Sequence, residues 1–289
     1  VILGVLAGLS FGFEWTHSLF AGIVLGATSV SITVQTLIEL GRLRSKEGAT
    51  LLAAAVVDDV VALLVLSIFL ALSVTGAGGA WRAGVIVLRI AVFFGAAVST
   101  GPLLRKALGA VQRAPISEGL LSGILVVVLA YAWAAEAIGS IASITGAYLA
   151  GILIARAGLR EVSERQIKGL LYALLVPVFF VSIGLQTNAR SLHLGDVPFA
   201  AVIIVAAVVG KVVGCGLAVR RAGFSQPEAL RVGVGMISRG EVGLIVAAIG
   251  LQAGLLSDRG FAVMVIMVLA TTIITPPLLR LAFGAEPRP

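Results

Sequence analysis

Apolar runs of about twenty residues recur along the whole sequence, separated by short polar and basic stretches, and each is long enough to cross a bilayer as an α-helix. In lipid every backbone N–H and C=O needs a partner within the protein, so only helices and closed barrels span membranes. A barrel would read as alternating segments of about ten residues, whereas these runs are continuous. The expected class is an all-α integral membrane protein. With 59% hydrophobic and 12% charged residues, the 289-residue chain falls outside soluble globular composition.

Counting about 20 residues per crossing predicts ten transmembrane helices. They fall at 1–13, 18–40, 49–74, 83–104, 117–137, 139–155, 169–187, 197–219, 229–254 and 260–282, with almost no loop between the fifth and sixth. This assignment sorts the 21 Lys and Arg residues. One side collects Arg42, Arg44, Lys46, Arg105, Lys106, Arg113, Arg156, Arg160, Arg165, Lys168, Arg220, Arg221, Arg231, Arg280 and Arg288; the other holds Arg82, Arg190 and Arg259. The positive-inside rule puts the larger set, and with it the C-terminus, in the cytoplasm. The net charge of +7 thus reads as a topology signal and not as a nucleic-acid footprint. Cys215 is the single cysteine, which excludes a disulfide framework and a thiolate metal cluster, and His17 and His193 stand alone in the sequence. No cofactor is expected.

Asp58 and Asp59 lie side by side in the middle of the third apolar run. An acid at bilayer depth costs at least about 2.5 to 3.5 kcal/mol on insertion scales and survives where it faces a cavity, a partner or a cargo. Neighbours on a helix point about 100° apart, so one carboxylate can meet a counter-ion while the other faces a cavity. Lys211, Arg239 and Glu241 are the other ionisable groups deep in apolar runs, and the acids and the lysine are expected to titrate as a coupled set. Arg89 lies near a span end, from which it can snorkel, and receives no functional role.

Two spans read as broken helices. Gly26-Ala27-Thr28-Ser29-Val30-Ser31-Ile32-Thr33 sets hydroxyls and β-branched residues at mid-membrane, and the segment from Gly233 to Gly243 does the same with glycine and charge. Matching interruptions in two halves of a chain point to a transporter site built from inverted repeats. Spans one to three and eight to ten are then inverted counterparts. Spans five to seven lack a partner, so about three helices are expected before Val1. Oxygen ligands suit a hard cation, and Asp59 with Thr28, Ser29 and unwound carbonyls can supply them in competition with protons. Thr28 and Ser29 can instead bond to their own preceding carbonyls. Lys211 is read evenly as a counter-ion to Asp58 or as a proton carrier, and Arg239 and Glu241 as ties for exposed helix ends. Pro177 is expected to kink the seventh span. Gly8-Leu9-Ser10-Phe11-Gly12 matches the serine-nucleophile pattern by chance, since no strand-to-helix turn accompanies it. Gly119 to Gly123 and Gly210 to Gly214 match a helix-packing spacing only.

The segments Ala27-Thr28-Ser29-Val30, Val57-Asp58-Asp59, Pro177-Val178-Phe179-Phe180, Gly210-Lys211-Val212-Val213-Gly214, Ser238-Arg239-Gly240-Glu241-Val242-Gly243 and Thr271-Thr272 carry a resemblance over nearly the whole chain. It resembles bacterial monovalent cation/proton antiporters of the second cation/proton antiporter family, most closely the NapA-type sodium/proton antiporters. The resemblance implies a thirteen-helix homodimer of the inner (plasma) membrane, whose first three helices would precede Val1. It implies a core domain from 1–74 and 191–289, a linker helix within 75–110 and a dimerisation panel within 111–190. Asp59 would carry Na⁺ and H⁺, Asp58 would pair with Lys211, and Thr28 would sit at the crossing of the broken helices. Li⁺ and K⁺ are the alternative cations. An Asp-Asp pair implies electrogenic exchange, against the electroneutral exchange of Asn-Asp relatives.

Overall fold

The computed structural model describes residues 1–29, 31–74, 79–113, 118–139, 141, 143–159, 167, 169–187 and 193–284. Val30, Arg160, Arg165, Lys168, Arg190 and Arg288, and the side chain of Arg82, lie outside what is described. The described residues form α-helices joined by short turns, with no strand among them. In chain order the helices are α1 (Ile2–Ser10), α2 (Trp15–Gly26), α3 (Ser31–Glu39), α4 (Lys46–Val74), α5 (Gly79–Ser99), α6 (Gly101–Arg113), α7 (Gly119–Ala137), α8 (Ser143–Ile154), α9 (Val176–Gln186), α10 (Val197–Arg221), α11 (Gln226–Gly235), α12 (Glu241–Gln252) and α13 (Asp258–Phe283).

Five segments among the described residues are long and apolar enough to cross a membrane: Trp15–Glu39 taken across its break, Lys46–Leu70, Gly119–Ala137, Leu194–Arg221 and Asp258–Phe283. A sixth arises if Leu88–Ser99 and Gly101–Arg113, bent by 44°, count as one span. The bend has a local cause, because Pro102 has no N–H for the carbonyl four residues back. The sixth expected span begins later than its apolar run, α8 starting at Ser143, and at Ala155 it passes into a π-helical stretch, Ala155–Leu159, where Gly158 has φ +81°. Ahead of Pro177 the chain is wound as a π-helical turn, Leu171–Leu175, leading straight into α9. That turn contains Ala173, whose carbonyl Pro177 leaves without its usual donor.

The chain divides into two compact units. The first comprises Val1–Ala62 and Ile183–Pro289. In it α1 packs on α2 and α10, α10 on α11 and α13, α13 on α3, α11 and α12, and α12 on α2. Small residues let backbones meet. A Cβ on Gly4 would stand 2.6 Å from the Gly22 Cα, and one on Gly233 would stand 2.6 Å from the Val212 carbonyl oxygen. Leu37, Leu51, Val232, Ile237, Leu279 and Phe283 form one buried cluster.

Ion pairs tie the helix ends together where α3 and α13 finish and α4 and α11 begin. Arg231 Nη1 lies 3.0 Å from Glu47 Oε1, Arg280 Nη2 lies 2.9 Å from Glu39 Oε2, and Lys46 Nζ lies 3.5 Å from Glu228 Oε2. At the start of α11 the Ser225 amide donates to Glu228 Oε2 at 2.7 Å, which holds this carboxyl below its ordinary range.

The second unit, Leu63–Ser182, contains α5 to α8, with α7 and α8 in the tightest packing. Arg89, given no role from sequence, caps α7: its Nε and Nη2 donate to the Ile138 and Ala137 carbonyls, both at 2.8 Å. Ser67 and Thr145 share a buried hydroxyl bond of 3.0 Å. A Cβ at Gly146 would run into the Tyr131 carbonyl, while one at Gly151, further along α8, would meet nothing within 4 Å. Gly146→Ala is therefore expected to destabilise the protein by about 1–3 kcal/mol, read as a lower melting temperature of the detergent-solubilised chain. Gly151→Ala serves as the control and is expected to leave melting unchanged or raise it by the helix propensity of alanine; equal behaviour of the two variants would contradict the packing described.

Candidate ion-binding site

Both expected breaks are present, and they meet. The first helix stops at Gly26 and resumes at Ser31, with Ala27 extended at φ −56° and ψ 138°. The second stops at Gly235 and resumes at Glu241. The Ser29 amide donates to the Ser238 carbonyl at 2.9 Å, so the two unwound strands are hydrogen-bonded where they cross. Thr33 Oγ1 donates to the Gly235 carbonyl at 2.7 Å, satisfying one carbonyl freed by the break. Gly240 is compelled by this contact, since a Cβ there would lie 2.7 Å from the Ser29 side chain.

A broken helix presents two dipole ends of about half an elementary charge each, and the crossing compensates both signs. On the negative side stands Arg239, 1% exposed. Its Nη1 donates to the Met236 carbonyl at 3.3 Å and, more closely, to that of Ile237; its Nη2 donates to the carbonyls of Leu25 at 2.8 Å and Ala207 at 3.1 Å. One guanidinium thus gathers the open carbonyl ends of α2 and α11 and a carbonyl of α10. Thr272 of α13 donates to the Arg239 carbonyl. On the positive side, Glu241 opens α12 and accepts a bond from Ser29 Oγ at 3.1 Å.

The paired aspartates lie one turn past the middle of the first-unit part of α4. Lys211 Nζ sits 3.3 Å from Asp58 Oδ2 and 3.4 Å from Oδ1, with side chains 12% and 25% exposed respectively. Lys211 follows Ala207 by one helical turn, so Arg239 also fixes the part of α10 that presents the lysine. Asp59 is half-buried and lies within electrostatic range of Asp58, Glu241 and Lys211.

Of the residues singled out from sequence, Asp58 and Lys211 are therefore brought into contact, as are Ser29 and Glu241. Thr28 is buried, and its hydroxyl donates to the Gly26 carbonyl at 3.4 Å. Among the described residues neither Thr28 nor Ser29 is bonded to Asp59. Sequence reasoning placed Thr33 among the hydroxyls of the first break but did not foresee its bond to the Gly235 carbonyl of the second, nor the reach of Arg239 to α10.

The model of the family described as "sodium/hydrogen exchanger, transmembrane" matches residues 1–281. The chain belongs to this family. Similar exchanger relatives include the Na⁺/H⁺-K⁺ antiporter GerN of Bacillus cereus, 38% identical over 98% of this chain and 72% of the relative. The Na⁺/H⁺ antiporter of Enterococcus hirae is 33% identical over 97% of this chain and 73% of its own. The high-affinity Na⁺/H⁺ antiporter NhaS3 of Synechocystis is 35% identical over 96% and 60%. With several apolar helices and this membership, the chain is a multi-pass membrane protein of the exchanger family.

The Asp58–Lys211 contact is open to a double-mutant cycle on melting temperature. Asp58→Asn and Lys211→Gln are each expected to destabilise by leaving a partly buried charge without its partner. The double variant is expected to recover about 1–3 kcal/mol relative to the sum of the two. Strict additivity would contradict the contact.

Proposed function

We propose that this chain is a secondary active sodium/proton antiporter, with Asp59 as the carboxylate that Na⁺ and H⁺ occupy in turn. The observation that carries the assignment is the division of the acid pair: Asp58 is engaged by Lys211, while Asp59 stands within electrostatic range of Glu241, the residue that opens α12 at the second break. A carboxylate beside unwound backbone offers a hard monovalent cation the oxygen ligands it requires. Protons compete for the same atoms. The family membership and the names of the relatives support the same activity.

In this reading the exchanger works by alternating access in the cell inner membrane, with the C-terminus in the cytoplasm. The segments 1–74 and 191–289 form the carrier core, 75–110 links, and 111–190 forms the panel of a homodimer. Ten spans arranged as inverted repeats accommodate the two breaks. Asp58, Asp59, Thr28 and Ser29 line the path of the ion, Lys211 balances charge, and Arg239 and Glu241 hold the helix ends.

Charge count decides what such a protein can do. If two protons enter for each Na⁺ expelled, one net charge moves inward, worth about 2.3 kcal/mol per 100 mV of inside-negative potential. Each pH unit contributes about 1.36 kcal/mol per proton. Electrogenic exchange therefore continues to expel Na⁺ into a more alkaline exterior as long as the potential outweighs the pH difference. The Asp58–Lys211 bond is the device proposed to supply the second proton: protonating Asp58, or releasing a proton from Lys211, breaks it. Potassium/proton exchange is the second reading, favoured by the K⁺ in the name of the Bacillus cereus relative.

In proteoliposomes, Na⁺ is expected to dissipate a preset ΔpH, and Li⁺ and K⁺ tested in turn separate the two readings. Asp59→Asn is expected to abolish the response; wild-type rates in that variant would refute the assignment. With the potential clamped at different values, Lys211→Gln is expected to flatten the voltage dependence, and an unchanged voltage dependence would remove Lys211 from the charge count.

A further inference from the structure

A cavity of about 770 Å³ opens in the second unit, between the end of α5, α6 and the π-helical extension of α8. Four cations line it: Arg105, Lys106 and Arg113 from α6, and Arg156 from the extension. Among the described residues no carboxylate lines it and none of the four cations forms an ion pair, and all four are exposed. The exchange mechanism uses none of them.

The register of α6 produces this arrangement. At 100° per residue, Arg105, Lys106, Gly109 and Arg113 share one arc of the helix, while Leu104 and Leu108 lie on the other. Those leucines are buried against Leu120, Ile124, Leu153 and Ile154. The apolar side fastens α6 to its unit, so the cationic side faces outward. Between the charges the helix carries Gly101, Gly109 and Ala110, and the floor of the cavity is bare: a Cβ on Gly109 would meet nothing within 4 Å. Val98 and Leu153 add an apolar wall beside the charges.

Four like charges around one concavity repel one another, and an anion placed among them relieves that repulsion. An apolar wall next to the cations suits an anion that carries hydrocarbon. Arg105, Lys106, Arg113 and Arg156 also belong to the set that the positive-inside count places on the cytoplasmic side, where anionic lipids concentrate and basic pockets between helices hold their headgroups. We propose that this cavity binds the headgroup of an anionic glycerophospholipid, its phosphate diester among the four cations and the start of its acyl chains along Val98 and Leu153. Inorganic phosphate offers the same charge without the apolar part and is expected to bind far more weakly.

The test uses the full chain in mixed detergent micelles, titrated with fluorescently labelled phosphatidylglycerol. Saturable binding is expected, displaced by unlabelled phosphatidylglycerol but neither by phosphatidylcholine nor by inorganic phosphate. Arg105→Gln and Arg156→Gln are each expected to weaken binding about fivefold, since a basic residue near an anionic headgroup contributes on that order. Arg44→Gln with Arg221→Gln removes two cations of the first unit and is expected to change nothing. Gly109→Leu keeps every charge and fills the floor, and it too is expected to weaken binding at least fivefold. Displacement by phosphatidylcholine or by inorganic phosphate, equal loss in the Arg44 and Arg221 control, or undiminished binding in Gly109→Leu would each overturn the proposal.

Discussion

A single buried guanidinium makes the centre of this protein possible. Interrupting two helices inside a membrane leaves carbonyls without donors where no water can serve them, and each such group costs several kcal/mol. Arg239 answers this by donating to Leu25, Met236 and Ile237, the open ends of both interrupted helices, and to Ala207. The cation would itself be prohibitively placed in the bilayer without that ring of oxygens. Each side of the bargain therefore requires the other, which is why the break and the arginine occur together.

From this interaction the rest of the site follows in order. Because Arg239 also bonds to α10 at Ala207, the lysine one turn later is held where it meets Asp58. Because Glu241 begins α12 and accepts from Ser29, the positive dipole end of α12 is matched as well. Among the described residues Asp59 is left as the acid of the pair not taken up by a basic side chain, in a neighbourhood of mixed sign. Such a carboxylate suits reversible occupation, since neither a proton nor a cation has to displace a salt bridge on Asp59 itself.

Much of this was legible in the sequence, and the reasons are physical. Continuous apolar runs left helices as the only class, and α2 with α3, α4, α7, α10 and α13 lie close to the expected spans because length and hydrophobicity alone define them. The breaks at Gly26–Ser31 and Gly235–Glu241 were readable because glycine, hydroxyl and charge clustered where lipid forbids them. Less was readable where backbone winding departs from the α-form: a π-helical stretch, Ala155–Leu159, prolongs α8, and the π-helical turn Leu171–Leu175 shortens α9 relative to its apolar run. Partners were the least accessible level. Arg89 is exposed and caps α7, a partner its position near a span end does not name, whereas the Thr28 hydroxyl bonds to the Gly26 carbonyl, the preceding-carbonyl alternative that the sequence already offered. Hydrophobic periodicity reports which face is buried, but it does not report which carbonyl lies across it.

The central claim is that Na⁺ and H⁺ exclude one another at a single carboxylate beside the crossing. Calorimetric titration of the purified chain with Na⁺ across a range of pH, in buffers of different ionisation enthalpy, measures both affinity and the protons released on binding. The account predicts proton release with each Na⁺ bound and an apparent affinity that falls as pH falls. Sodium binding that is independent of pH and releases no protons would contradict it.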